Sequence, residues 1–252
     1  DGFYTVADFE SFDSKSRTWK LKEGVVDSSP LSDTPRPGNA KFKKLTPVDP
    51  NSTNPYQLTE ADRTVIGNTT PKFSGGFGLN ATYKGFDMSM FFNFMYDFDV
   101  LNANKIMLTT WADNKENNFL MDIASDKRWR NFDDMGNEIR YSPEILAEFN
   151  KNATMWNPTS IGRPICMSYA VEDGSFLRLN SATLGYTLPS VWTKKVGLSK
   201  VRFYVSGNNL FTLTGYSGYD PEVNIATGLT PNIDYNRYPR SRTYTFGAQL
   251  TF

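Results

Sequence analysis

Five runs of this sequence alternate between apolar and small or polar residues, and their length limits what the chain can fold into. In residues 72–83, Phe73, Gly75, Phe77, Leu79, Ala81 and Tyr83 share one parity, against Ser74, Gly76, Gly78, Asn80 and Thr82. Lys84-Gly85 has the length of a tight hairpin turn. Residues 85–97 then set Phe86, Met88, Met90, Phe92, Phe94 and Tyr96 against Asp87, Ser89, Phe91, Asn93, Met95 and Asp97. A period of two marks a strand whose faces see different surroundings. The runs at 175–187, 201–213 and 242–252 behave alike, except that Leu177 and Leu179 differ in parity from Ala182, Leu184 and Tyr186. A bulge near Ser181 restores a single face.

Length separates two all-β classes. Strands of soluble proteins usually run about five or six residues. A tilted strand that crosses a bilayer needs roughly 9–11. The runs here fit the second class. Their connectors alternate, short after Tyr83 and Tyr186 and long before Lys72, after Asp97 and after Leu213. Outer-membrane barrels show the same asymmetry of short turns and long loops. Tyr83, Phe86, Tyr186 and Trp192 gather toward the short-turn side, as an interfacial girdle does. The expected fold is therefore all-β, a transmembrane antiparallel barrel. Five strands cannot enclose a lumen, and lipid cannot satisfy an open edge, so the remaining strands must come from a longer polypeptide. The opening Asp1-Gly2-Phe3, without Met or secretory signal, agrees with that expectation.

The intervening segments have another texture. Residues 1–71 are punctuated by Pro30, Pro35-Arg36-Pro37-Gly38, Pro47, Asp49-Pro50-Asn51 and Asn54-Pro55. They read as a long extracellular loop region with short strands over 3–9 and 17–21. Residues 98–174 and 214–240 read as long loops. The first holds a short helix from Pro143 to Phe149, with Ser142 as N-cap.

Composition removes several function classes. Lys+Arg and Asp+Glu are both 27 in 252 residues, and no nucleic-acid partner is expected of so neutral a chain. There is no histidine, so no His-based triad or metal site. Cys166 is the one cysteine and has no histidine to activate it. No cofactor, metal or catalytic residue is assigned. Asp133-Asp134 is the nearest approach to a glycosidase pair, but adjacency does not set the separation that chemistry needs. Trp111, Trp129 and Trp156 in the longest loop, with Tyr216 and Tyr219, are candidates for stacking on substrate or anchoring a partner. The competing reading packs them into the loops' own cores. Asp87, Asn93 and Asp97 fall on the polar, lumen-facing side.

Four stretches resemble the C-terminal part of SusC/RagA-family TonB-dependent outer-membrane transporters. They are Asp62-Arg63-Thr64-Val65-Ile66-Gly67-Asn68 with Pro71-Lys72-Phe73; Tyr83-Lys84-Gly85-Phe86-Asp87; Gly174-Ser175-Phe176-Leu177-Arg178-Leu179 running to Leu184-Gly185-Tyr186-Thr187-Leu188-Pro189; and Val201 to Phe211, followed by Tyr216-Ser217-Gly218-Tyr219-Asp220-Pro221-Glu222-Val223-Asn224, Tyr238-Pro239-Arg240-Ser241-Arg242 and the final strand. The family often carries an acidic run before the first stretch. This chain has Lys43-Lys44-Leu45-Thr46-Pro47-Val48-Asp49-Pro50 there, and an ion site at that place is not carried over.

The resemblance implies the last five strands of a 22-strand barrel in the outer membrane of a Gram-negative bacterium. It implies import of glycans or oligopeptides, a SusD-like lipoprotein lid, a plug, and TonB acting on an N-terminal part this chain lacks. Outer-membrane lipid would surround the strands. Tyr244, Phe246, Leu250 and Phe252 resemble the signal read by the barrel-assembly machinery. A soluble secreted β-sandwich that binds glycans is the alternative. It predicts a protein with no need of detergent.

Overall fold

The computed structural model describes residues 2–110, 118–124, 126–161, 165–223 and 231–252. Two compact units are present. The first combines residues 1–65 with 103–167, and the second combines 66–102 with 168–252.

In the first unit β1 (Phe9–Asp13) pairs antiparallel with β2 (Thr18–Leu21). Two short helices follow, α1 (Ala103–Met107) and α2 (Pro143–Phe149). The strand expected over 3–9 begins only at Phe9. Val6–Asp8 is a single 3-10 turn, because Thr5 and Asp8 form a capping box that closes the chain locally. The long surface loop expected over 1–71 is mostly exposed, and it is anchored at buried positions such as Tyr4, Phe9, Ala40 and Leu58. Trp129, Ile139 and Leu146 form a core joined by Phe3, Val6, Trp19 and Phe149. Tyr4 is fully buried, and its hydroxyl donates to the Val26 carbonyl at 2.6 Å.

Irregular backbone can be buried here because side chains satisfy it. Asp62 is the clearest case. Its carboxylate accepts from the N–H groups of Leu45 at 2.9 Å, Thr46 at 2.7 Å and Thr59 at 2.8 Å, and from the Thr46 hydroxyl at 2.7 Å. Lys44 Nζ stands 3.2 Å away. Burial alone would raise the Asp62 carboxyl; the hydrogen bonds from Thr46, Thr59 and Leu45 outweigh it and hold the group well below the ordinary carboxylate range. A carboxyl depressed in the folded state contributes stability that is complete above its unfolded pKa, about 4, and is lost as pH falls below it. Asp62→Asn should therefore destabilise this unit at neutral pH, and the gap to the wild type should close on acidification. Chemical-denaturant midpoints of the full-length protein measured down the acid range test this. A gap independent of pH would assign Asp62 a purely steric role.

The second unit is built on an antiparallel sheet of β3 (Phe73–Tyr83), β4 (Phe86–Tyr96), β7 (Phe176–Thr187), β8 (Lys200–Thr214) and β10 (Thr243–Thr251), in the order β10-β8-β7-β4-β3. Lys84 and Gly85 both have positive φ, 45° and 89°, which is the backbone of a primed two-residue turn. A four-residue helix, α3 (Ser190–Thr193), fills the short connector after Pro189. Beside the long-loop end lies a small sheet in the order β6-β5-β9, from β5 (Asp99–Asn102), β6 (Val171–Asp173) and β9 (Ile233–Asp234). Its core is Phe98, Val100, Phe176, Tyr216 and Val223.

Candidate functional site: a two-faced sheet and an ion-paired loop

Register makes the sheet two-faced. Phe77 lies opposite Phe92, Phe92 opposite Leu179, and Leu179 opposite Phe211. Nearer the turns, Tyr83, Phe86, Tyr186, Phe203 and Ala248 form a second cross-strand row. The parity slip in β7 is resolved as the alternation requires. Phe91 pairs with Ser181 but Phe92 with Leu179, which leaves Asn180 as the extra residue. Every apolar set thus falls on one face.

That face is exposed. Phe73 is 63% accessible, Leu79 52% and Phe246 81%. An apolar patch continuous over five strands far exceeds what a protein presents to water. At about 3.4 Å per residue, an eleven-residue strand is about 37 Å long and spans about 26 Å when tilted by about 45°; β3 and β4 each have 11 residues. The apolar band of an outer-membrane barrel is about 25 Å tall. Aromatics mark both ends of the sheet. Phe86 and Tyr186 pack at 4.5 Å near the turns, with Trp192 59% exposed in the connector. Phe73 and Tyr96 stack at 6.5 Å at the other end. In β10, Tyr244, Phe246 and Leu250 stand exposed on the apolar side, and Phe252 follows the strand at 90% exposure.

The opposite face is polar. Arg202 reaches from β8 across β7 to Asp87 on β4. Its Nε donates to Oδ1 at 2.9 Å and its Nη2 to Oδ2 at 2.5 Å. Gly185 lies beneath this bidentate pair, where a Cβ would sit 2.4 Å from Arg202 Nη2 and 2.6 Å from Asp87 Oδ1, so a larger residue would make the pair shift. Asn93 is half-buried on the same face, and its Oδ1 has no hydrogen-bond partner among the described residues. Asp97 departs from the expected lumen-facing position. Strand β4 ends at Tyr96, and Asp97 turns left-handed with φ of 60°, which breaks the alternation its parity was counted on. It pairs instead with Lys72, and its N–H donates to the Ser175 hydroxyl at 2.9 Å.

Above the polar face Asp220, Glu222 and Arg240 are tied down by charge. Arg178, 1% exposed, projects from β7 and donates through Nη2 to Asp220 Oδ1 at 2.5 Å. Arg178 Nη1 stands 3.4 Å from Glu222 Oε2, and Arg240 Nη2 donates to Glu222 Oε1 at 2.7 Å. Two of the stretches noted in the sequence meet here, the third through Arg178 and the fourth through Asp220-Pro221-Glu222 and Arg240. The period of two assigns these charges no partners. The available signal was Arg178 itself, a lone charge in the apolar run Phe176-Leu177-Arg178-Leu179. Arg202, opposite in sign to Asp87 and near the same end of the sheet, was legible in the same way.

The aromatic candidates divide. Trp129, Trp156 and Tyr216 are 3%, 6% and 6% exposed, so they pack the cores of their units and present no open ring face. The Tyr216 hydroxyl donates to the Asp234 carboxylate at 2.7 Å. Burial, then that bond and the carboxylate charge, push the phenol above its ordinary range. Tyr219 is 81% exposed beside the ion network. Trp111 lies outside the described residues. Asp133 accepts from the N–H groups of Met135 and Asn137 and from the Asn137 side chain, and Asp134 pairs with Arg130 at 2.7 Å. Both carboxylates are thus engaged in shaping one turn.

No protein-family model matches the chain. Among curated proteins, "TonB-dependent receptor P3" of Formosa agariphila is 35% identical over 202 residues, 78% of this chain and 18% of that protein. "TonB-dependent receptor SusC" of Bacteroides thetaiotaomicron is 38% identical over 88 residues, 33% of this chain and 8% of that protein. Among solved structures, the RagAB peptide transporter aligns with a TM-score of 0.50 and 26% identity, over 73% of this chain and 17% of that one. The chain spans about a fifth or less of the length of these relatives. The exposed apolar face, the polar face behind it and these likenesses agree, and the chain belongs to the SusC/RagA type of TonB-dependent transporters.

Proposed function

We propose that residues 66–102 and 168–252 are the C-terminal wall of an outer-membrane importer of glycans or oligopeptides. The observation that carries this reading is the sheet with one lipid-compatible face and one polar face. Strands β3 and β10 are its two edges, and the remaining strands of a 22-strand barrel would pair with them. Lipid holds the apolar face. The polar face, with Asp87, Arg202 and Asn93, lines the lumen or meets the plug. Tyr219 is the candidate substrate contact at the long-loop end. The SusD-like lid, the coupling to TonB and the assembly role of Tyr244, Phe246, Leu250 and Phe252 rest on the family resemblance. The wall itself works passively, and the plug, outside this chain, does the conformational work.

The decisive experiment is fractionation of source cells followed by intact-mass measurement, with uptake compared in cells lacking TonB. A polypeptide several times 28.5 kDa, extracted from outer membranes only with detergent and inactive in uptake without TonB, is the expected result. A soluble protein of 28.5 kDa overturns the reading in favour of a glycan-binding sandwich.

A further inference from the structure

We propose that the first unit holds a binding cleft for the acidic group of an anionic oligosaccharide, a uronate carboxylate or a sulfate ester. The proposal deepens the importer reading and rests on it for its biological purpose. The cleft measures about 310 Å³, within the range of small-molecule sites. Arg17, Arg36 and Arg140 line it, with Asp33 as their one acidic counterpart. The whole chain has a formal charge of zero, so this is a local excess of positive charge.

Two of the three cations are gathered on one ring. Arg17 lies 4.7 Å from the centroid of the Tyr141 ring, and Arg140 lies 5.6 Å from the same centroid. Phe12 stacks on Tyr141 at 6.0 Å and braces it. Arg17 is fixed by its turn, where it adopts a φ of 56°. The Asp13 carboxylate secures that turn by accepting from the Lys15 N–H at 2.9 Å and the Ser16 hydroxyl at 2.6 Å. Arg140 has Glu138 as an ion-pair partner. Arg17 and Arg36 have none among the described residues. Arg17 and Arg140 share one ring, and a bound anion would lower the repulsion between like charges placed there.

A second observation also points to a ligand. Ser160 is 5% exposed and lines the same cleft, and its Oγ has no hydrogen-bond partner among the described residues. A buried hydroxyl without a partner is costly, and a ligand oxygen would satisfy it. The chemistry favours a sugar over a peptide. Guanidinium forks match carboxylate and sulfate oxygens. Asn39, Asn131, Asn157 and Thr159 line the same cleft and bring amide and hydroxyl groups that suit the hydroxyls of a sugar.

The test uses the full-length transporter in detergent and isothermal titration at low salt. The probes are a hexameric oligogalacturonate, a sulfated galactan hexasaccharide, maltohexaose and hexaglutamate. The variant is Arg17→Asn with Arg36→Ala, both at exposed positions, and Asn tolerates the left-handed turn. At least one acidic sugar should bind the wild type and weaken by about tenfold or more in the variant, while maltohexaose shows no such dependence. Three results overturn the proposal: no binding of either acidic sugar, equal binding by variant and wild type, or hexaglutamate binding as tightly as the sugars. The same preparation separates the two readings. No acidic-sugar binding by a protein that still needs TonB for uptake removes the cleft and keeps the importer. Acidic-sugar binding by a soluble protein keeps the cleft and removes the importer.

Discussion

Arg178→Met is expected to destabilise the full-length protein by about 3–5 kcal/mol, the usual cost of removing one partner from a buried ion pair. Arg178 is 1% exposed and Asp220 8%. With the guanidinium gone, the Asp220 carboxylate keeps the Glu222 N–H, which donates at 2.9 Å, but loses its counter-charge in a dehydrated site. Glu222 keeps Arg240 at 2.7 Å. The damage should therefore centre on Asp220 and loosen the segment that follows β8. Denaturant unfolding of the refolded barrel measures the energy, and limited proteolysis over 215–240 locates it. The double variant Arg178→Met with Asp220→Leu decides between two accounts. If the pair serves to neutralise buried charge, the double variant should recover most of the loss, because apolar replacements of buried pairs are often neutral. If the loss persists, the geometry of the loop depends on the hydrogen bonds themselves. A single-variant loss under about 1 kcal/mol, the scale of an exposed pair, would show that the network contributes little.

The alternation was legible because it records a physical boundary. A pleated strand between two unlike media must sort its residues by parity, and that sorting survives in the letters at 72–97 and 242–252. Even the bulge at Asn180 was visible, since a slip in parity has one cheap remedy. Parity fails where the chain leaves the pleat. Asp97 counts as a polar-face residue, but a left-handed backbone ends the strand before it. The 1–65 segment hid its order for another reason. Its packing depends on side chains bound to backbone, as at Asp8 and Asp62, and on pairings far apart in sequence, as between Phe3 and Trp129 at 5.8 Å. Of the prolines and asparagines there, Pro35, Pro37 and Asn39 mark a buried turn, while Pro30, Pro47, Pro50, Asn51 and Asn54 are exposed. The one local clue is the Thr-x-x-Asp pattern at Thr5 to Asp8 and Thr59 to Asp62, which closes a turn in both places. Pairings at long range, such as Arg178 with Asp220, have no period to betray them. They are read only by asking which lone charge needs a partner.

Substituting arginine at two adjacent positions of β3 separates the two faces directly. Leu79 lies in a cross-strand row with Met90, Ala182, Gly207 and Tyr244, near mid-height of the apolar side. Asn80 lies in the next row, with Ser89, Thr183, Ser206 and Thr245. Leu79→Arg should cost about 2–4 kcal/mol in a refolded barrel, the price of a guanidinium at the bilayer midplane. Asn80→Arg should cost much less, because a lumen position stays wet. A third substitution, Tyr83→Arg, gives the depth dependence. Tyr83 is at the turn end of the same face, where arginine can reach the headgroups and the cost should fall to about 0–1 kcal/mol. A soluble sandwich predicts a different ordering. Its apolar face would be covered by a second sheet, so the loss at Leu79 would follow burial and would be independent of lipid. Refolding into bilayers of increasing hydrocarbon thickness distinguishes these cases. In a barrel the penalty at Leu79 grows with thickness, because the charge has farther to reach. If the penalty stays constant across bilayers, or is equal at Leu79 and Asn80, this face does not meet lipid.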